Sequence, residues 1–335
     1  MTDKTERRFV LLGNVDSGKS TLGGQILVTS GLIEAREIEK VKKEAESRKM
    51  SSWWLAYLLD SDDGERARGK THEYLDLVIP FKDTQLTMID VPGHKQLISE
   101  MVLGCSQANI ALLILSARQG EYKSGLAGQT VEHCVIARGM GISTLVVAVN
   151  KMDTIDWDEE TYQKLKKDFQ KRISKYQFKS IKFVPISAYQ GSNVNDIDPT
   201  SVTTWKTEKI DQSLMEIISE IPFKEVHDKN IIVGEKKILV CKFLAYKIPT
   251  LICTGLVCKI HTKDQLYDVR LVKLRVESKK EKKSWVYLTD SNDPKGLVDA
   301  CFCLIGKNVP EEVNSNLVVR NGDQTIGIAK VIKSI

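Results

Sequence analysis

The sequence Gly13-Asn14-Val15-Asp16-Ser17-Gly18-Lys19-Ser20 fits the pattern G-x-x-x-x-G-K-S and directly follows the apolar run Phe9-Val10-Leu11-Leu12. The apolar run predicts a buried strand and Thr21 to Thr29 predicts a helix, which is the setting of a phosphate-binding loop. Backbone N–H groups of such a loop converge on the helix N-terminus, where anions are favoured. Lys19 would reach the β- and γ-phosphates, and Ser20 would offer its hydroxyl to Mg²⁺. A plain glycine turn would explain the two glycines but not the Lys-Ser pair behind them.

Length and composition limit the class of protein to which the chain can belong. A chain of 335 residues has room for two domains that each bury a core. Because no long apolar run and no charged-then-apolar leader is visible, the sequence predicts a cytoplasmic protein without a membrane segment. The seven cysteines form no C-x-x-C pair, so we interpret them as reduced core residues.

The net charge of +5 is unevenly distributed along the chain. Residues 1–222 hold 29 Lys and Arg against 31 Asp and Glu, whereas residues 223–335 hold 20 against 13. The positive charge therefore belongs to the C-terminal part. This pattern indicates either an ordinary solvated basic surface or contact with RNA phosphates or an acidic partner.

The stretch after the first helix predicts two more helices and a loop. Residues 34–49 are dense in charge with a thin apolar face, and Ser51 is expected to cap an aromatic helix that carries Trp53. Residues 60–69 then break all periodicity. Thr71 follows at the end of this loop, where its hydroxyl would cover a γ-phosphate.

A second strand end carries chemistry suited to a triphosphate. Leu86 to Ile89 predicts a strand that delivers Asp90-Val91-Pro92-Gly93-His94. Asp90 would lie at the carboxyl end of the strand, where the Mg²⁺ of a nucleotide needs a carboxylate. Gly93 allows a backbone N–H to meet the γ-phosphate, and His94 lies where an attacking water would sit.

Two further strand ends suit a purine base. Ile110 to Ser116 and Leu145 to Val149 are apolar runs with helical stretches between them, as in a parallel sheet covered on both faces. The second run ends in Asn150-Lys151-Met152-Asp153. Asp153 would accept hydrogen bonds from the N1–H and the exocyclic amine of guanine, while Asn150 holds the base edge and a neighbouring loop. Adenine lacks this donor pair, so the motif predicts GTP or GDP rather than ATP.

The next strand carries the last of the predicted nucleotide-binding elements. Phe183 to Ile186 predicts a strand, and Ser187-Ala188 behind it would place a backbone N–H on guanine O6. Four nucleotide-binding elements thus fall in order at strand ends of one α/β pattern. Residues 1–222 are therefore predicted to be a GTP-binding domain of the α/β P-loop type, with a doubly wound, mostly parallel sheet.

The C-terminal part has a different pattern. Residues 223–234 are assigned to a linker, and short alternating runs with turns between them predict one antiparallel β-barrel over residues 235–335. These runs are Ile238–Val240, Leu251–Val257, Val269–Val276, Trp285–Leu288, Ala300–Ile305, Asn316–Arg320 and Thr325–Val331.

Residues 9–221 resemble the GTPase domain of the elongation factor Tu and elongation factor 1-alpha superfamily of translational GTPases. The resemblance implies hydrolysis of GTP to GDP and phosphate, with Thr71 as the switch I ligand of Mg²⁺ and His94 as the residue that orients the hydrolytic water. It also implies that Asp16 helps to hold a monovalent cation. The motifs that carry it are Gly13 to Thr21, Glu65 to Thr71, Asp90 to His94, Asn150 to Asp153 and Ser187-Ala188.

Within this superfamily three segments are most similar to the class II release factor that partners the stop-codon reader: Gly69-Lys70-Thr71, Ser116 to Tyr122, and Gly128-Gln129-Thr130. Elongation factors carry Ile before the switch I Thr, where it faces the valine of the phosphate loop. Lys70 stands there in this chain, which implies a weaker or differently closed apolar gate. Asn14 also replaces the His that is usual in elongation factors.

The family has two β-barrels after its GTPase domain, and this chain has space for one. Asn316 to Ile332 resembles the end of the last barrel. The resemblance therefore implies that the middle barrel, which holds the aminoacyl end of the charged tRNA in elongation factors, is missing. Delivery of aminoacyl-tRNA is accordingly disfavoured.

The sequence is compatible with two functions. One is a GTP-hydrolysing switch, similar to a release or ribosome-rescue factor, that acts at the ribosome with a tRNA-shaped partner and with contacts to ribosomal RNA. The other is a regulatory module that binds GTP or GDP with negligible turnover and competes for partners of the complete factors. The presence of Lys19, Thr71, Asp90 and His94 together favours the first.

Overall fold

The computed structural model describes residues 7–59, 75–91, 98–127, 129–202, 205–222, 237–245, 257–261, 266–277, 285–287, 300–306, 316–321 and 324–334. The chain divides into two compact units. The first comprises Met1–Cys134 with Ile142–Lys224, and the second comprises Val135–Gly141 with Glu225–Ile335. Every residue predicted to bind nucleotide falls within the ranges of the first unit.

The first unit is built on a six-stranded mixed sheet with the order β2-β3-β1-β4-β5-β6. All neighbouring strands are parallel except β2 and β3, which are antiparallel. The predicted mostly parallel sheet is therefore confirmed. Its strands are β1 (Arg7–Leu12), β2 (Leu75–Phe81), β3 (Thr84–Asp90), β4 (Ile110–Ser116), β5 (Thr144–Asn150) and β6 (Ser180–Pro185).

Helices pack against this sheet. The helices that the structure describes are α1 (Lys19–Thr29), α2 (Ala35–Ser47), α3 (Trp54–Tyr57), α4 (Ile98–Gln107), α5 (Gln119–Ala127), α6 (Thr130–Gly139), α7 (Glu159–Ile173) and α8 (Leu214–Glu220). Short 3₁₀ turns lie at Ser51–Trp53, Met152–Ile155 and Ser174–Tyr176. The helix α8 begins with a capping box, in which Ser213 and Glu216 each bind the other's backbone N–H.

The central strands are buried on both faces. Phe9 and Leu11 belong to one apolar cluster with Leu22 and Ile26 of α1, while Val10, which alternates with them, is also fully buried. Burial on both faces explains why these strands are continuous apolar runs in the sequence rather than alternating ones.

The parallel order brings the carboxyl ends of the strands to one edge of the sheet. Leu11, near the end of β1, is the register partner of Asp90 at the end of β3. Ser116 at the end of β4 is the partner of Asn150 at the end of β5. Ligands of open α/β sheets bind outside this edge, so the topology assembles segments that are far apart in sequence.

The aromatic segment after α2 differs from its prediction. Ser51 does not cap a helix: it lies inside a 3₁₀ turn, and no side chain caps the start of α3. The helix α3 has four residues and does not include Trp53, so it is shorter than the predicted aromatic helix. The segment is nevertheless packed within the first unit, because Tyr57 is buried against Val41 and Ala45 of α2.

The second unit contains an antiparallel sheet with the order β10-β9-β11-β7-β13-β12-β8, in which β8 also pairs with β9. Its strands are β7 (Lys237–Ala245), β8 (Val257–His261), β9 (Leu266–Glu277), β10 (Trp285–Tyr287), β11 (Ala300–Gly306), β12 (Asn316–Asn321) and β13 (Gln324–Ser334). The predicted antiparallel strands are thus found. Of the predicted strand Leu251–Val257, all but its last residue lies outside the described residues.

Among the described residues, no helix has the length and apolar character needed to cross a membrane. Within the same residues, no group of three or more His, Cys, Asp and Glu is arranged to hold a metal ion.

Close packing of α1 on α3 predicts how a methyl group added at Gly24 changes the stability of the fold. A Cβ at Gly24 would lie 1.9 Å from the backbone carbonyl oxygen of Leu55, which cannot rotate away. We expect Gly24→Ala to lower the free energy of unfolding by about 1–3 kcal/mol, as overpacked cores do. Urea denaturation followed by circular dichroism measures this change.

The matched control is Gly120→Ala, which also places alanine in a helix. Apart from its chain neighbours and the backbone of its own helix, no atom of the described residues lies within 4 Å of the Cβ that this change adds. The control should be neutral or stabilising by up to about 1 kcal/mol, because alanine favours the helix. Equal effects of the two substitutions would contradict the packing described for α1.

Candidate nucleotide-binding site

The loop between β1 and α1 has the backbone of an anion-binding loop. Gly13 has φ +148° and Gly18 has φ +95°, which are conformations that favour glycine. A Cβ on Gly13 would lie 2.7 Å from the carbonyl oxygen of Ile114 in β4, so a larger residue would push the loop off the sheet. Because no side chain caps α1 at Gly18, the first N–H groups of the helix remain available to an anion.

Lys19, the first residue of α1, is buried and folds back over the loop. Its ammonium donates hydrogen bonds to the carbonyl oxygens of Gly13 and Asn14, each at 3.0 Å. Burial lowers the pKa of Lys19 to about 8, while the carboxylates of Asp90 and Asp16 act in the opposite direction. The positive charge is therefore held where the phosphates of a nucleotide would lie.

Asn150, the last residue of β5, joins three segments through its side-chain amide. Its Nδ2 donates to the carbonyl oxygen of Ser17 at 3.0 Å, and its Oδ1 accepts from the N–H groups of Lys151 at 2.8 Å and Ala188 at 2.9 Å. A Cβ at Gly18 would lie 2.4 Å from this Nδ2, so only glycine leaves room for the contact. The base-reading segments and the phosphate loop are thus one connected structure.

The other residues predicted to meet the base lie next to Asn150. Lys151 has φ +66°, and its ammonium donates to the carbonyl oxygen of Asp16 at 2.8 Å. Asp153 is partly exposed in the 3₁₀ turn Met152–Ile155. Ser187 and Ala188, which follow β6, are buried. A backbone N–H of Ser187-Ala188 was predicted to meet guanine O6, and the N–H of Ala188 donates to Asn150.

Asp90 is buried at the end of β3 and close enough to Lys19 to raise the pKa of that lysine. Ser20 and Thr21 lie in the first turn of α1, and Val15 lies in the loop. Thr71, Gly93 and His94 lie outside the described residues. The structure therefore brings together the predicted residues of the phosphate loop, Asp90 and the two base-reading segments.

His133 was not predicted from the sequence, yet it contacts the phosphate loop directly. It lies in the first turns of α6, and its Nδ1 accepts a hydrogen bond of 3.1 Å from the N–H of Gly13. Burial, helped by the charge of Lys19, lowers the pKa of His133 from 6.5 to about 3. The imidazole is therefore neutral at physiological pH, as this acceptor role requires.

This buried neutral histidine predicts how stability depends on pH. Because its folded-state pKa lies below its unfolded value of about 6.5, its contribution is complete above pH 6.5 and is lost as the pH falls toward 3. Between pH 7 and pH 5 we expect a loss of about 2 kcal/mol in the free energy of unfolding from this residue.

Denaturation curves of the wild type and His133→Asn across this range test the expectation. Asn keeps a hydrogen-bond acceptor but does not titrate, so its stability should fall less between pH 7 and pH 5. Parallel stability profiles for the two proteins would contradict the assignment of a neutral, buried His133.

Comparison with known proteins shows the family to which the chain belongs. Residues 4–229 match the family described as the elongation factor Tu GTP binding domain. The eukaryotic peptide chain release factor GTP-binding subunit of Schizosaccharomyces pombe is 41% identical over 213 residues, which are 61% of this chain and 32% of that protein. Elongation factor 1-alpha of Aeropyrum pernix is 39% identical over 206 residues, which are 59% of this chain and 47% of that protein.

Among solved structures, the S. cerevisiae Ski7 GTPase-like domain, bound to GDP and inorganic phosphate, has a similar fold. The TM-score is 0.56 at 15% identity, and the match covers 98% of this chain and 75% of that one. The chain spans about a third to a half of the length of the two curated relatives above. Since the family pattern covers well over half of the chain, the protein belongs to the elongation factor Tu GTP-binding domain family of translational GTPases.

Proposed function

We propose that this protein is a GTP-hydrolysing translation factor, a switch of the release-factor or ribosome-rescue type that acts with a partner at the ribosome. The observation that carries the proposal is the side chain of Asn150, which holds the phosphate loop at Ser17 and the base-reading loop at Ala188 together. Because one side chain connects the loop for the phosphates with the loop for the base, the site suits a nucleoside triphosphate. Family membership and the identities to release and elongation factors support guanine as the base.

The nucleotide would lie across the edge of the sheet where the strands end. Its phosphates would accept hydrogen bonds from the N–H groups at the start of α1 and from the ammonium of Lys19. Its guanine would donate from N1 and the exocyclic amine to Asp153. Guanine O6 would share or take over the N–H of Ala188 that now donates to Asn150.

The residues near Lys19 also suit Mg²⁺. Hydroxyl and carboxylate oxygens are the ligands that this cation prefers, and Ser20 and Asp90 supply both kinds beside the loop. Ser20 and Thr71 would bind the ion, with Asp90 close by, and the ion when bound would offset negative charge on the phosphates. A monovalent cation beside Asp16 remains a prediction of the family resemblance.

Hydrolysis is assigned to residues in three roles. Lys19 would stabilise negative charge on the phosphates as it develops, and Thr71 would order the loop before β2 when a γ-phosphate is present. His94 would orient the attacking water, so its contribution would fall mainly on the transition state.

For the chain as a whole we propose a GTP-binding domain at 1–222, a linker at 223–234 and a closed β-barrel at 235–335. The pairing of β8 with both β12 and β9 supports closure of the second sheet. We further propose that the middle barrel of the family is missing. The basic C-terminal part would then dock a tRNA-shaped release or rescue factor, or ribosomal RNA, in the cytoplasm, and would not deliver aminoacyl-tRNA.

Nucleotide selectivity tests the assignment of Asp153. Asp153→Asn should weaken GDP binding by about a hundredfold or more, because two charge-assisted hydrogen bonds are lost, and should improve binding of xanthosine diphosphate. Titration calorimetry with GDP, ADP and xanthosine diphosphate measures the change. Asp156→Asn, an exposed aspartate of the same segment, is the control and should bind GDP like the wild type. Equal affinity of the wild type for GDP and ADP would contradict the guanine site.

The rate of GTP hydrolysis tests the proposed role as a ribosome-activated switch. Ribosomes should raise the rate of GTP hydrolysis by the wild type, and His94→Ala should lower the stimulated rate by about two orders of magnitude while nucleotide affinity stays nearly unchanged. Phosphate release and nucleotide titration measure the two quantities separately. An unchanged stimulated rate would remove the role from His94. A wild type that ribosomes do not stimulate would favour the regulatory module instead.

A further inference from the structure

The segment Ser116 to Tyr122, which resembles release factors but lies outside the five nucleotide motifs, contacts the site through one carboxylate. Glu121 lies in the first turn of α5. Its Oε2 accepts hydrogen bonds from Lys151 Nζ at 2.7 Å and from Ser116 Oγ at 2.6 Å, and its Oε1 accepts from Arg118 at 3.3 Å. The carboxylate therefore joins the end of β4, the start of α5 and the base-reading motif.

The ammonium of Lys151 makes a second contact, with the phosphate loop. It donates to the carbonyl oxygen of Asp16 at 2.8 Å, while it is 2.7 Å from Glu121. Asp16 itself has φ +66°, so this part of the phosphate loop is held in the left-handed region. A lysine side chain is long and mobile, and a single carbonyl oxygen holds it weakly. The carboxylate of Glu121 supplies the charge that keeps the ammonium in place.

Helix α5 is itself anchored, so Glu121 is presented in a fixed position. The hydroxyl of Tyr122 donates to Asp168 of α7 at 2.8 Å. Helix α5 also lies beside the phosphate loop, because one small cavity is lined by Glu121 and Tyr122 together with Asn14 and Ser17. A rigid support of this kind is what a positioning role requires.

The local electrostatics agree with an ionised carboxylate. Burial raises the pKa of Glu121, but hydrogen bonds from Lys151, Ser116 and Arg118 outweigh it and leave the pKa below its ordinary value. The pair with Lys151 is partly shielded from water, with side chains 31% and 23% exposed. Such a pair holds its geometry better than an ion pair on an open surface.

We propose that Glu121 is a positioning residue for the nucleotide: it fixes the ammonium of Lys151 on the carbonyl oxygen of Asp16 and so holds the phosphate loop beside the base-reading loop. This inference rests on the proposed guanine-nucleotide function and adds to it a residue outside the five motifs. Loss of the carboxylate frees Lys151 and loosens the loop at Asp16. Bound nucleotide then leaves faster, although no group that touches it has been changed.

The test is the dissociation rate of fluorescent GDP from the full chain, measured by chase with unlabelled GDP. Glu121→Gln keeps the size of the side chain and its contact to Ser116 but removes the charge. Dissociation should become about tenfold faster, and urea denaturation without nucleotide should show a folded protein. Arg118→Gln, which removes the most exposed partner of Glu121, should leave the rate unchanged.

A double-mutant cycle shows whether the effect passes through Lys151. In a Lys151→Met background, Glu121→Gln should cause no further acceleration, because the ammonium that it positions is absent. The same acceleration in both backgrounds, or none in the wild-type background, would overturn the positioning role while leaving GDP binding established. A wild type that binds no GDP would overturn this inference together with the proposed function.

Discussion

The side-chain amide of Asn150 is the contact on which the rest of the site depends. One donor and one acceptor on the same planar group bind the carbonyl oxygen of Ser17 and the N–H of Ala188, so two loops that meet different parts of a nucleotide share one support. Gly18 leaves room for the contact because it has no Cβ, and β5 lies between β4 and β6 in the sheet. The order of the parallel strands is therefore the constraint that brings the residues of the nucleotide site together.

Around this contact the phosphate loop is held from several directions by other groups of the protein. Lys19 donates to its carbonyl oxygens, His133 accepts from the N–H of Gly13, and Lys151 binds the carbonyl oxygen of Asp16. A loop held in this way loses little conformational freedom when a ligand arrives, so less of the binding free energy is spent on ordering it. The buried ammonium of Lys19 and the neutral imidazole of His133 place no negative charge beside the loop, which favours binding of a polyanion.

Local patterns predicted much of this structure because the strands are buried on both faces. Ile110–Ser116 is a continuous apolar run and was predicted with its observed bounds, and the next predicted run, Leu145 to Val149, lies within β5 (Thr144–Asn150). His133 escaped prediction because its partner Gly13 is 120 residues away and nothing local marks a helical histidine as an acceptor. The helix cap predicted at Ser51 is wrong: a residue type that favours caps lies here inside a 3₁₀ turn, in a segment where Tyr57 packs on α2.

The most direct test of this account is a crystal structure of the chain with GDP and Mg²⁺. If Asn150 connects both loops in the complex as well, the contacts of Asn150 to Ser17 and of Lys151 to Asp16 should remain within hydrogen-bond distance. The diphosphate should lie on the N–H groups at the start of α1, and the base should meet Asp153. A complex in which the phosphate loop has moved away from Asn150, or in which GDP binds elsewhere, would contradict it.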